Sequence, residues 1–240
     1  MTANAVMNDY ETWRYDEMKQ VGTDYADPKH VEKYDERHSQ FRDVDGECSA
    51  ILDSLAVTTT SVILEIGTGT GAFALHAARR CKHVYAIDVS LPMLESARSK
   101  ASAAGISNVT FSHGGFLTYE HDAAPPDAIV TSMAFHHLPD LWKAVALDRM
   151  SIMLKNGGQL YIHDVVFTQP DTLQSIQKWI DHMHSIAGHQ LAREIGTHVR
   201  EEFSTFDWIL DGLLERSGFD VVQKKTEHGV VATYLCRKRD

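Results

Sequence analysis

Three glycines alternate with threonines from Gly67 to Gly71, between an apolar stretch and a stretch rich in alanine. Glycine lets the backbone turn tightly and lets a ligand approach the chain closely. Glycine loops that open a helix usually bind phosphate, and residues 67–72 also fit the dinucleotide fingerprint G-x-G-x-x-A. The loop therefore indicates a nucleotide-type ligand, and the charged residues beside it must indicate which one.

Two acidic residues stand at the ends of successive apolar stretches. Glu65 lies two positions before Gly67, and Asp88 ends the next apolar stretch along the chain. A carboxylate at Asp88 would accept hydrogen bonds from the ribose hydroxyls of an adenosine ligand, and it would repel the 2′-phosphate of NADP. Glu65 would repel a pyrophosphate but attract the ammonium and sulfonium of S-adenosylmethionine (SAM). The two acids favour SAM over NAD or a flavin. A further alternative is that the glycines form a plain strand-to-helix turn that binds no nucleotide.

The elements that must position these residues alternate from Ser61 onwards. Short apolar stretches followed by helix-like stretches are typical of βαβ units and of a mostly parallel, doubly wound α/β sheet. Strands are predicted over residues 61–67, 83–89, 108–114, 127–133 and 159–167. Residues 219–227 and 230–238 flank the turn His228-Gly229, which predicts a C-terminal antiparallel hairpin. Ligands of such sheets bind beyond the carboxyl ends of the strands, where Glu65 and Asp88 are expected.

The chain is predicted to divide into a helical front and an α/β remainder. Residues 1–60 are rich in charged and aromatic side chains and are predicted as an N-terminal helical cap, with one helix beginning at Asp27 and Pro28. Residues 61–240 are predicted as the SAM-binding domain. Within it, residues 168–207 show helical periodicity and no strand, which predicts a helical insertion or lid.

Composition restricts the classes of partner and the compartment. The formal net charge of −10 argues against a nucleic-acid or anionic-membrane binder, because both need a basic surface. No stretch approaches 18 apolar residues, and the first residues do not resemble a signal peptide, so we expect a cytoplasmic protein. The three cysteines, Cys48, Cys81 and Cys236, show no metal-binding or CxxC spacing.

Four segments, in order, resemble the motifs of the class I SAM-dependent methyltransferases. They are LEIGTGTG, AIDVS, DAIVTSMAFHHLPD and LKNGGQLYIHDVVF, and they lie within residues 61–167. The resemblance is to the small-molecule group similar to the quinone-biosynthesis enzymes, the type 11 and type 25 methyltransferase domains. It implies a Rossmann-like seven-stranded sheet whose last strand is antiparallel, SAM as cofactor with S-adenosylhomocysteine (SAH) as product, and a small-molecule acceptor.

The resemblance also implies the cofactor site. Its members would be Tyr25, Tyr34, Glu65, Gly67, Thr68, Gly69, Gly71, Asp88, Val89, Met93, Gly115, Phe116 and Ser132. Glu65 and the glycines would hold the methionine half, Asp88 the ribose, and Met93 and Phe116 the adenine. In one respect the chain departs from the family pattern. The third strand of the family often leads to Gly-Asp, whose Asp accepts from the adenine amino group, and Gly115 stands in the place of that Asp. We expect backbone groups near Gly115 and Phe116 to bind the adenine.

Candidate bases for removing a proton from an acceptor follow the fourth strand and end the fifth. They are His136, His163 and Asp164, each with a structural role as the alternative. His182 and His184 point about 200° apart on a helix, which does not suit a metal site, and we expect no metal.

Two other classes of function stay open at this point: a protein that binds SAM or SAH without methyl transfer, and an NAD-dependent oxidoreductase. The oligomeric state and the acceptor atom are also open.

Overall fold

The strands form one mixed sheet in the computed structural model, which describes residues 13–19, 21–22, 31, 34–35 and 42–240. The strands are β1 Val62–Ile66, β2 His83–Asp88, β3 Val109–His113, β4 Ala128–Ser132, β5 Gln159–Phe167, β6 Thr205–Phe206, β7 Phe219–Glu227 and β8 Val231–Lys238. Their order is 3-2-1-4-5-8-7, and the short β6 pairs with β5 outside this path. Strands β1 to β5 are parallel, whereas β8 is antiparallel to both β5 and β7. The predicted Rossmann-like sheet with its C-terminal hairpin is confirmed.

Six α-helices connect and cover the strands over residues 42–240, and a short 3-10 helix spans Phe135–His137. The α-helices are α1 Val44–Ser54, α2 Ala72–Ala77, α3 Leu91–Ala103, α4 Asp140–Met153, α5 Thr172–Glu201 and α6 Asp207–Arg216. Local chemistry sets their ends: the Ser90 hydroxyl accepts from the Met93 amide at 3.2 Å at the start of α3. The hairpin between β7 and β8 turns through two residues of positive φ, His228 at 53° and Gly229 at 73°.

Both faces of the sheet are buried. Neighbouring residues of each strand point to opposite sides of the sheet and therefore belong to two different cores. Leu64 belongs to the core that includes Leu147 of α4 and Leu210 of α6. Its neighbour Ile63 belongs to the opposite core, which includes Leu52 of α1. The sheet is therefore held between two helical layers, and its carboxyl edge is left for a ligand.

Two predicted features differ in the structure. Residues 168–207 contain a strand, since Thr205 and Phe206 pair with the end of β5, which continues beyond its neighbours. The helix α5 is also interrupted at Gly188, whose φ of 79° and ψ of −173° are not helical. The predicted helix start at Asp27 and Pro28 lies outside the described residues, as does Tyr25. Among the helices that are described, none has the length and apolar character needed to cross a bilayer.

Candidate functional site

A cavity of about 860 Å³ lies at the carboxyl ends of β1, β2 and β4 and beside the loop that follows β3. The structure brings eleven of the predicted cofactor residues to its wall: Tyr34, Glu65, Gly67, Thr68, Gly69, Asp88, Val89, Met93, Gly115, Phe116 and Ser132. Gly71 does not line the cavity and stands instead at the start of α2. The convergence follows from the parallel strands, which carry their end residues to one edge.

Two glycines of the loop have different surroundings. Gly67 has a φ of 83°, and a Cβ built there would lie 2.3 Å from the Cβ of Ala134, so the position excludes a side chain. Gly69 has a φ of 55°, and a Cβ there would meet no described atom within 4 Å. The loop therefore presents bare backbone to open space at Gly69, which allows a ligand to approach closely.

Glu65 is a buried acid at the floor of the cavity, with 3% of its surface exposed. The hydroxyl of Thr68 donates to its carboxylate at 2.5 Å. Burial, and next the negative charge of Asp88, raise the pKa of Glu65 to about 8, against the lowering effect of the Thr68 hydrogen bond. A carboxyl group in this state favours a cationic partner, because a positive charge nearby would stabilise the ionised form.

Asp88 ends β2 and is held by the backbone. Its Oδ2 accepts from the Gly69 amide at 2.7 Å, and its Oδ1 accepts from the Ser90 amide at 2.8 Å. Burial raises its pKa. A carboxylate oxygen can accept more than one hydrogen bond, so each oxygen retains capacity for a ligand hydroxyl.

The cavity extends from the glycine loop across the faces of β5, β7 and β8. This second lobe is lined by Arg42, Glu47, Tyr161, His163, Lys225, Glu227 and Thr233. The Nδ1 of His163 lies 2.9 Å from the Thr233 hydroxyl, and burial lowers the pKa of His163. The imidazole is therefore neutral at pH 7 and sits in the wall of a cavity, where a base would be placed.

His136 and Asp164 do not line this cavity. The Oδ1 of Asp164 lies 2.5 Å from the Nδ1 of His136, and the amides of Phe135 and Val165 donate to the same carboxylate at 2.6 Å each. The Nε2 of His136 lies 3.3 Å from Glu202, which ends α5. Both ring nitrogens are thus engaged by carboxylates, so the placement favours a structural role over the catalytic role predicted for this pair.

The two neighbouring carboxylates set the protonation state of His136. Burial alone would lower the pKa of His136, but Asp164 and Glu202 raise it to about 9. The same pairing, against the effect of burial, lowers the pKa of Asp164 to about 2. The result is a buried imidazolium between two carboxylates, which fastens the segment after β4 to the end of α5.

The same region includes atoms that could hold a metal ion. Potential ligand atoms of His136, His137 and Glu202 lie within 4.8 Å of one another. His137 also lines the cavity, and burial together with the charge of His136 lowers its pKa to about 4. The expectation that the protein uses no metal stays a prediction.

Comparison with known proteins assigns the family. Residues 63–158 match a family model described as a methyltransferase domain. An uncharacterized methyltransferase of Geobacillus sp. (strain WCH70) is 35% identical over 191 residues, which are 80% of this chain and 83% of the relative. The chain belongs to the class I SAM-dependent methyltransferases.

Two solved structures have the fold of this methyltransferase. DhpI, solved as a complex with SAH, gives a TM-score of 0.62 at 18% identity and covers 88% of this chain and 93% of its own. A putative sarcosine dimethylglycine methyltransferase from Galdieria sulphuraria gives a TM-score of 0.61 at 16% identity. The match covers 82% of this chain and 85% of that protein. At these identities the likeness shows the shared fold.

The methyltransferase family uses SAM as methyl donor, and the cavity fits that molecule. Glu65 places a buried carboxyl beside the bare backbone of Gly69, where an ammonium group would stabilise the ionised form of the acid and a pyrophosphate would disfavour it. Membership in the family also decides against the NAD-dependent oxidoreductase that the glycine loop alone left open.

Sequence reasoning missed several residues of the methyltransferase site. Glu17 lines the cavity beside Gly115, and Tyr15 donates from its hydroxyl to the His137 carbonyl at 2.9 Å. Tyr161 and Thr233 come from β5 and β8. Glu17 and Tyr15 lie in a segment without a recognisable motif. Tyr161 and Thr233 could be placed at the cavity only once the register of the antiparallel pair β5–β8 was known.

Proposed function

We propose that the methyltransferase binds SAM at the glycine-loop end of the cavity and methylates a small molecule in the lobe over β5 and β8. The supporting observation is the continuity of one cavity from Glu65 and Asp88 to His163. Donor and acceptor can then occupy one space in line, which supplies much of the catalysis of methyl transfer. When bound, SAM would supply the methyl group of its sulfonium, which bonds to the acceptor as the carbon–sulfur bond breaks and SAH leaves.

The residues of this chain would divide the cofactor between them. Glu65 would bind the ammonium group of the methionine half, with Gly67 and Gly69 giving backbone approach. Asp88 would accept from the ribose hydroxyls, and Met93 would pack against the adenine. Tyr34 lines the same cavity, which supports the predicted contact with the methionine end.

His163 is the residue that we propose as general base. Its ring is neutral because burial lowers its pKa, and Thr233 holds its Nδ1 at 2.9 Å. In the tautomer in which Nδ1 donates its proton to the Thr233 hydroxyl, Nε2 is the atom that would take a proton from a hydroxyl or amine of the acceptor. Methyl transfer to such an acceptor requires that proton to leave, so His163 would act on the rate more than on cofactor binding.

The size and lining of the cavity favour a small polar acceptor. Cofactor and acceptor share about 860 Å³, which is within the range of pockets for small ligands. Charged side chains line the second lobe, including the ion pair in which Arg42 Nη2 meets Glu47 at 2.5 Å. These features support an acceptor that carries polar groups of its own.

Methyl-labelled SAM distinguishes the classes of acceptor directly. The protein is incubated with this donor and a cell extract divided into small-molecule, protein and nucleic-acid fractions. We expect label in the small-molecule fraction, SAH in equal amount, and a loss of transfer of about 100-fold in His163→Gln. His182→Gln, a change at an exposed histidine, serves as the control. Label confined to the protein or nucleic-acid fraction, or SAH binding without any transfer, would contradict the proposal.

A further inference from the structure

The space in front of Gly115 is filled by a side chain from another part of the chain. Gly115 follows β3 and stands where the family pattern has an aspartate. Its φ lies outside the left-handed region, so the backbone itself would accept a side chain there. A Cβ built on Gly115 would lie 2.5 Å from Oε2 of Glu17 and 2.6 Å from Cδ of the same carboxylate. Glu17 therefore brings a carboxylate to the place that the missing aspartate would occupy.

One oxygen of Glu17 is fully engaged by the loop after β3. Oε1 accepts from the amide of Leu117 at 2.9 Å and from the amide and hydroxyl of Thr118 at 2.8 Å each. Three donors to one oxygen fix the position and the plane of the carboxylate. The segment that carries it is also attached to the core, since the ring of Trp13 stacks on that of Trp142 at 5.8 Å.

The other oxygen of Glu17 has no such partner. Oε2 is buried and makes no hydrogen bond to any residue that the structure describes. A buried polar atom without a partner is unfavourable, and in native proteins it usually has a role or a ligand. Capping the loop requires Oε1 alone, so the loop does not account for the position of Oε2. Glu17 is also one of the residues that line the cavity, together with Val89, Met93 and Phe116.

We propose that Glu17 binds the adenine of the cofactor, with Oε2 accepting a hydrogen bond from the exocyclic amino group. This inference rests on the proposed function, namely that SAM occupies the cavity. It replaces the expectation that backbone groups near Gly115 bind the adenine. The N-terminal segment thus supplies an acceptor that the third strand lacks, and Gly115 provides the room for it.

A paired change in protein and ligand tests this contact. S-inosylhomocysteine carries an oxo group in place of the amino group of SAH, so it offers Glu17 an acceptor where SAH offers a donor. Affinities of both ligands are measured by calorimetry for the wild type and for Glu17→Gln. We expect the wild type to bind SAH about 10- to 100-fold tighter than the inosyl analogue. In Glu17→Gln this preference should fall at least about tenfold, since the amide can accept from the loop and donate to the oxo group. Glu120→Gln, at an exposed glutamate, should keep the wild-type preference.

A second variant separates recognition of adenine from support of the loop. Glu17→Ala combined with Gly115→Asp restores the arrangement of the family pattern, with a carboxylate beside the same space. We expect Glu17→Ala alone to lose the preference for SAH and the double variant to regain it. Far-ultraviolet circular dichroism and thermal melting establish that each variant folds.

The outcomes distinguish this inference from the function on which it rests. If the wild type binds neither ligand, the proposed function fails. If the wild type binds SAH, but Glu17→Gln keeps the same ratio of the two affinities, SAM binding stands and the assignment of Glu17 is wrong. The assignment is also wrong if Glu17→Ala alone keeps the wild-type preference for SAH over the inosyl analogue.

Discussion

The raised pKa of Glu65 predicts that cofactor affinity depends strongly on pH. With a pKa of about 8, the Glu65 carboxyl of the free protein is about 1% ionised two pH units lower and half ionised at its pKa. An ammonium group beside it stabilises the ionised form, so binding releases a proton from Glu65. Affinity must therefore rise with pH until the acid is ionised in the free protein.

The ligand limits this rise at the alkaline end. The amino group of SAH loses its own proton at higher pH, because the free carboxylate beside it keeps its pKa above that of a peptide α-amino group. The optimum therefore lies above the pKa of Glu65, and the affinity at that pKa should exceed the affinity two pH units lower about 50-fold, which is the ratio of the ionised fractions of Glu65. Isothermal titration calorimetry with SAH at half-unit steps of pH measures this curve.

Two variants identify the group responsible. Glu65→Gln should bind SAH more weakly at the optimum and lose the rise on the acidic side, because no proton is released from position 65. Glu95→Gln, at an exposed residue of α3, should keep the wild-type curve. A flat curve for the wild type over this range, or the same acidic limb in Glu65→Gln, would exclude Glu65 as the titrating group.

Three further predictions concern the rest of the site. His136→Ala should lower the free energy of unfolding by about 3–5 kcal/mol in urea titrations, because the buried Asp164 carboxylate loses its cation and Glu202 keeps only His198 as a partner. His182→Ala should change it little, and equal stability of the two variants would count against the buried ion-pair network. Asp88→Asn should weaken SAH binding at least about tenfold by calorimetry, and an unchanged affinity would remove Asp88 from the ribose contact. His163→Gln should leave the SAH affinity within about twofold while lowering the single-turnover rate of transfer, and a loss confined to SAH affinity would exclude a base at this position.

Much of the fold is predictable from the sequence because it depends on local chemistry. The bounds of β5 and β7 match the strands predicted at residues 159–167 and 219–227, because turn residues flank both stretches. Ser90 and the turn at His228 and Gly229 act through contacts with their near neighbours. Glu65 and Asp88 could be placed together because parallel strands bring their carboxyl ends to one edge.

The rest depends on contacts between distant residues that no pattern along the chain indicates. Glu17 and Leu117 are 100 residues apart, and their contact appears only when the N-terminal segment lies against the loop after β3. The ion pairs of His136 depend on where the end of α5 brings Glu202. The sequence could therefore show that Gly115 departs from the family pattern, but it could not show which residue occupies the vacated space.

Calorimetry with SAH and with NAD at the pH optimum measures which of the two ligands the glycine loop and Glu65 bind. We expect SAH to bind with a stoichiometry of one per chain and NAD to produce no binding heat. Binding of NAD, or the absence of binding by SAH, would contradict the assignment of Glu65 to a cationic ligand and with it the proposed site.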